Sequence, residues 1–171
     1  MKQLSFLLVF LCFYCATPSF AQNPTTDEHG LSWYTDISKA QEVSNKTHKP
    51  IFAFFTGSDW CGWCHRLQAN VFAKQEFIKW AQQKVILLEL DFPRNKQLSP
   101  ELMKQNNDLQ QVFHVQGYPT VWIFNLTKDP ATSKMNISAF GSLGYPSEGK
   151  QGQEQIQFLK EANQILANKK G

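Results

Sequence analysis

Two cysteines, Cys61 and Cys64, stand three residues apart in the segment Trp60–Cys61–Gly62–Trp63–Cys64–His65. On a helix that spacing brings two thiols within reach of one another. A bond between them closes so short a loop that it braces a fold weakly, because little chain entropy is removed from the unfolded state. The pair therefore points to chemistry: one thiolate attacks a disulfide, and the second resolves the mixed disulfide that results. Two other chemistries share these residues. Cys-x-x-Cys-His is the attachment signature of c-type haem, with His65 as iron ligand and Met103 or Met135 opposite. Zinc would find two thiolates and His65, but no second cysteine pair completes a structural site, so no metal is expected.

The chain has 171 residues and four cysteines. Cys12 and Cys15 lie in an apolar stretch, Leu4–Cys15, that follows Lys2 and precedes the small residues Ser19 and Ala21. Such an order describes a secretory signal peptide, and the stretch falls short of the roughly 20 residues a bilayer span needs. Residues 1–21 are expected to be cut away, 22–30 to form a flexible polar lead, and 31–168 to form one domain. Export to the periplasm or the extracellular space follows, with no stable membrane insertion. Cys61 and Cys64 are then the thiols that remain.

Composition narrows the class. With 14 Phe, 5 Trp and 42% hydrophobic residues, the chain can build a core and is no disordered segment. Its formal charge of +3 is spread over scattered basic residues, which gives no footprint for nucleic acid.

The elements that must position the cysteines follow from periodicity. Asp36 caps a helix over 37–47. Residues 51–56, an apolar run that ends on Thr56, suit a strand buried on both faces. After the turn Gly57–Ser58–Asp59 the period changes, and Cys64, Leu67, Val71 and Phe72 mark one helical face. A further helix carries Phe77, Ile78, Trp80 and Ala81. A second strand spans 85–90. Ser99 and Pro100 open a helix with Leu102, Leu109, Val112 and Phe113 on its apolar side. A third strand covers 121–124, residues 125–136 read as turn and loop, 137–140 as an edge strand and 141–152 as loop. The last helix, about 153–168, presents Ile156, Leu159, Ala162 and Ile165 or Leu166. Strands alternating with helices imply an α/β domain, a central mixed sheet with helices on both faces.

Cys61 sits where a buried strand passes into a helix, so unpaired helix N–H groups favour its thiolate. It is expected to be the exposed nucleophile, with Cys64 the more buried resolving thiol. Trp-Cys-x-x-Cys after a Phe-rich strand, followed later by Gly117–Tyr118–Pro119–Thr120, resembles the thioredoxin-like superfamily, over about 31–168. The resemblance implies a thioredoxin-like fold and a cis-proline at Pro119 facing the cysteine pair. It further implies that Tyr118 and Pro119 align a substrate's extended backbone, with Trp60 as an apolar docking surface. Gly62 and Trp63 complete the substrate-facing surface. His65 and Asp59 are candidates for tuning the thiols. Two departures stand out: Gly62–Trp63 replaces the usual Gly-Pro, and Phe55 occupies the place of the family's buried acid.

The leading function is an exported thiol–disulfide oxidoreductase that reduces protein disulfides through the Cys61–Gly62–Trp63–Cys64 pair without a cofactor. Its partners are substrate proteins with disulfides or thiols and a separate redox partner. The absence of a dimerisation domain suits a monomer. The alternatives are a non-catalytic binding or structural protein on the same fold and a c-type haem protein.

Overall fold

The computed structural model describes residues 23–168 apart from 130, 133 and 149. The expected signal peptide lies outside the described residues. In chain order the elements are β1 (Thr25–Thr26), β2 (Ser32–Tyr34), α1 (Ile37–Thr47), β3 (Ile51–Thr56), α2 (Gly62–Leu67), α3 (Gln75–Lys84), β4 (Ile86–Asp91), α4 (Pro100–Val112), β5 (Thr120–Lys128), β6 (Met135–Leu143) and α5 (Glu154–Ala167). A π-helical turn, Gln68–Phe72, joins α2 towards α3.

The strands form one mixed sheet in the order β1-β2-β4-β3-β5-β6. β2, β4 and β3 are parallel, and β5 and β6 are antiparallel to their neighbours. β3 is central and every residue in it is buried. Alternation along β3 divides the core. Phe52 and Phe54 point to one face and pack with Cys64, Leu67, Phe72, Phe77 and Phe158. Ile51, Ala53 and Phe55 point to the other and pack with Ala40 of α1 and Leu109 of α4. Helices therefore cover both faces, α2, α3 and α5 on one and α1 and α4 on the other. The α2 side is strongly aromatic: Phe72 stacks on Phe77 at 4.6 Å and meets Phe54 edge-on at 5.1 Å.

Local chemistry sets the helix starts. Asp36 accepts from Ser38 N, and Ser99 Oγ from Leu102 N ahead of Pro100.

The structure corrects several expected elements. Within the expected lead, Thr25–Thr26 pairs with Ser32–Trp33, and the Asp27 carboxylate accepts from His29 N, Leu31 N and Trp33 Nε1. The expected loop over 125–136 is instead largely a hairpin, since strand pairing runs out to Lys128↔Met135. Polar residues there alternate on a solvent-facing ribbon, a pattern that an apolar-run criterion misses. β6 likewise extends to Leu143. Its partners shift between Gly141 and Ala139, leaving Phe140 as a bulge. A Cβ at Gly141 would come within 3.0 Å of Ile165, so that glycine lets α5 close onto β6.

Each of two expected helical faces has one residue misplaced. Val112 and Ile156 are exposed, whereas Asn106 in α4 and Phe158 in α5 are buried. Asn106 is held inside by donating from Nδ2 to Asp91 O at 2.9 Å, a partner no periodicity count can supply.

Candidate active site

Parallel pairing brings the C-terminal ends of β3 and β4 together, with Thr56 in register with Asp91. Loops leaving such strand ends form the ligand-facing side of α/β sheets. The chain leaves β3 through a tight turn in which Trp60 N and Cys61 N both donate to Gly57 O, at 3.2 and 2.8 Å. Gly57 is demanded by close approach: a Cβ there would lie 2.4 Å from the Trp60 indole.

Cys61 then caps α2. Its backbone is extended, and its Sγ accepts from Cys64 N at 3.2 Å. Cys61 and Cys64 are joined, with Sγ atoms 2.06 Å and Cα atoms 5.2 Å apart. Cys64 is sealed, and Cys61 retains 5% exposure. The expected exposed attacker is thus the more accessible of the pair but nearly enclosed, because both sulfurs sit at the top of the aromatic core.

The loop after β4 supports this turn. Asp91 is buried and accepts from Ser58 N at 2.8 Å, Ser58 Oγ at 2.7 Å and Lys96 Nζ at 2.8 Å. That contact pushes the Lys96 ammonium up. Asp59 accepts from Arg94 N and Asn95 N, and these amides hold its carboxyl below the usual range. The hydrogen bonds of Asp59 thus go to the neighbouring loop. His65 is exposed, and its Nε2 pairs with Ser58 O at 2.9 Å. A carbonyl only accepts, so Nε2 carries the proton.

The Tyr118–Pro119 peptide is cis. β5 begins beside β3, with Thr120 opposite Phe55, so this turn lies at the same end of the sheet as Cys61. Tyr118 stacks on Phe92 at 5.2 Å and meets Trp60 at 5.8 Å. Burial pushes its phenol up to about 12. Trp60 is further fixed by donating from Nε1 to Phe92 O at 2.8 Å. Trp63, on the other side, is 54% exposed and meets Tyr145 at 5.2 Å. Gly62 is exposed with open space at its Cβ position.

Several residues around the pair carried no motif. Gly57, Asp91, Phe92, Arg94 and Tyr145 come from the turn or from remote loops. The strand-end segment Asp91–Phe92–Pro93 was the available signal, since loops after parallel strands converge. Glu89 and Thr56 also belong to this region. Glu89 shares its strand face with Leu87, on the α2 side, and burial first, then Asp91, raises its carboxyl. Thr56 is buried, and its Oγ1 has no hydrogen-bond partner among the described residues.

A cysteine pair capping the helix after a central parallel strand, with a cis-proline turn at the same sheet end, defines a thioredoxin-like redox protein. The thioredoxin-like domain family matches residues 37–130. The chain belongs to that family, and with its cysteine pair it is a thiol–disulfide oxidoreductase. It is similar to the disulfide bond reductase DsbH of Chlamydia pneumoniae, 32% identical over 120 residues that cover 70% of this chain and 71% of that protein. It is also 30% identical over 113 residues to the thiol:disulfide interchange protein DsbD of Pasteurella multocida, matching 63% of this chain and 18% of that much longer protein. Among solved structures, a DsbH oxidoreductase superposes with a TM-score of 0.65 at 26% identity, covering 95% of both chains. A thioredoxin from Thermus thermophilus shares the fold, with a TM-score of 0.53 at 15% identity over 80% of this chain and 87% of that one.

Proposed function

We propose that the chain is an exported reductase of protein disulfides, working as a monomer with a separate dithiol donor. The observation that carries the reading is the asymmetry of the pair: Cys61 keeps the only exposure between them and receives the Cys64 N–H. A hydrogen bond to the charged form favours the thiolate. The name of the similar DsbH reductase supports the direction.

In the dithiol form, the Cys61 thiolate attacks one sulfur of a substrate disulfide. A Cys61–substrate bond forms, and the other substrate sulfur leaves as a thiolate and takes a proton. Cys64 loses its proton and attacks Cys61 Sγ, forming the Cys61–Cys64 bond and releasing the second substrate thiol. Two electrons pass to the substrate, and the donor restores the dithiol. The substrate segment lies extended beside Tyr118 and Pro119, against Trp60, Gly62 and Trp63. His65 and Asp59 act by holding the Ser58 turn and its neighbouring loop in place.

Insulin reduction tests the roles. Cys61→Ser abolishes it, and Cys64→Ser accumulates a mixed disulfide with substrate. A Cys61→Ser protein as active as the parent would refute the assignment. A reduction potential near the about −270 mV of thioredoxin supports a reductase, whereas one near about −120 mV makes the chain an oxidant. Export predicts that periplasmic or secreted material begins at Gln22.

A further inference from the structure

Two guanidinium groups lie over the tryptophans that precede the two cysteines, and among the described residues neither meets a carboxylate. Arg94 lies over Trp60, its Cζ 3.8 Å from the ring centroid, and Arg66 lies over Trp63 at 4.6 Å. Both arginines are exposed. The ion pairs among the described residues all belong to His29, Lys39, Lys46, Lys96 and Lys104. A guanidinium over an indole keeps N–H groups in water, and these form a fork that matches a carboxylate.

The neighbouring charges are already engaged. Asp91 faces Lys96 and Ser58, and Asp59 is held by the amides of Arg94 and Asn95. Glu89 is half-buried on β4. Among the described residues, the side chains on this face left without a hydrogen-bonded or ion-pair partner are therefore the two guanidinium groups, one beside each tryptophan, while Asp59 keeps its charge against the backbone amides. Trp60 precedes Cys61 and Trp63 precedes Cys64, so each guanidinium rests on the residue next to one of the two cysteines.

We infer that this face selects protein segments in which the reactive cysteine is flanked by Asp or Glu, whose carboxylate is taken by Arg66 or Arg94. The inference rests on the proposed disulfide exchange at Cys61 and adds the substrate class. Charge complementarity sets the preference, while the two indoles supply apolar contact common to all substrates.

The test uses three fluorogenic peptide disulfides, identical except for Glu, Gln or Lys beside the cysteines, with the protein kept reduced by dithiothreitol. Rates are corrected for the uncatalysed reaction of each peptide. The expected kcat/KM order is Glu, Gln, Lys, with about a fivefold span at low salt that narrows as salt is added. In the R66E/R94E double variant the order reverses, and in R66Q/R94Q the span closes towards unity. Equal turnover of the three peptides by the parent overturns the acidic preference and leaves the exchange reading intact. An order that persists in R66E/R94E also overturns it. Failure to turn over any of the three removes the proposed exchange itself.

Discussion

Trp60 and Trp63 flank the same short disulfide ring, yet they are held in different ways. Trp60 is 36% exposed and Trp63 is 54% exposed. The Trp60 indole rests over Gly57, donates to Phe92 O, and meets Tyr118 and Arg94. Those partners come from the β3 turn, the loop after β4 and the entry to β5. Trp63 touches Arg66, three residues along its own helix, and Tyr145, whose hydroxyl accepts from Asn70 Nδ2 at 2.9 Å. The first indole is locked by tertiary contacts and forms a fixed wall. The second is held by one helix turn and one ring, so fewer elements fix its position.

The largest effect expected from breaking this contrast is at Asp91, beneath the Trp60 side. Asp91→Ala removes the acceptor of Ser58 N, Ser58 Oγ and Lys96 Nζ at a buried position. A loss of about 3 kcal/mol is expected in urea unfolding. A loss below about 1 kcal/mol would mean that the loop is held by something else.

Gly57→Ala comes next. With the Trp60 ring already 2.4 Å from the new Cβ, the indole must leave its seat. Overpacking of this kind costs about 2 kcal/mol, and the insulin reduction rate should fall with it. Gly62→Ala is the control, since nothing lies within 4 Å of its Cβ position. Comparable destabilisation by both would show that helix-start geometry, not the Trp60 seat, is responsible.

Smaller effects sharpen the comparison. Trp60→Phe deletes the bond to Phe92 O and should destabilise by about 1 kcal/mol, whereas Trp63→Phe should stay within about 0.5 kcal/mol. Equal losses would erase the distinction between the two tryptophans.

Glu89→Gln probes the buried layer through pH. The folded carboxyl lies above its ordinary 4.5, so folding favours the protonated form. That contribution is complete below pH 4.5 and is lost as pH rises through the folded value. The Gln variant should therefore melt above the parent at neutral pH, and the difference should vanish in acid. A constant difference across pH would sink the assignment.

What could be read along the chain was what is local. Asp36 and Ser99 cap their helices through neighbours two and three residues away. The apolar run 51–56 announced a strand buried on both faces, and the cysteine pair stood at its helical exit. Where partners are distant, reading along the chain failed. Asn106 is polar and buried because a backbone carbonyl of β4 awaits it. The β5–β6 hairpin is stabilised by cross-strand pairs more than by apolar runs, so its outer half read as loop. Phe158 packs against Phe52, Phe72 and Phe77 on elements far apart in sequence.

Sequence alone determined that the two thiols lie at a strand–helix junction, because strand and helix periods and the spacing of three are properties of consecutive residues. Tertiary structure decided everything that surrounds them. Parallel pairing of β3 with β4 set Asp91 under Ser58, and antiparallel pairing with β5 brought Tyr118 to Trp60. Those neighbours depend on strand order and register, which are fixed by packing two apolar faces at once and leave no mark on the spacing of residues along the chain.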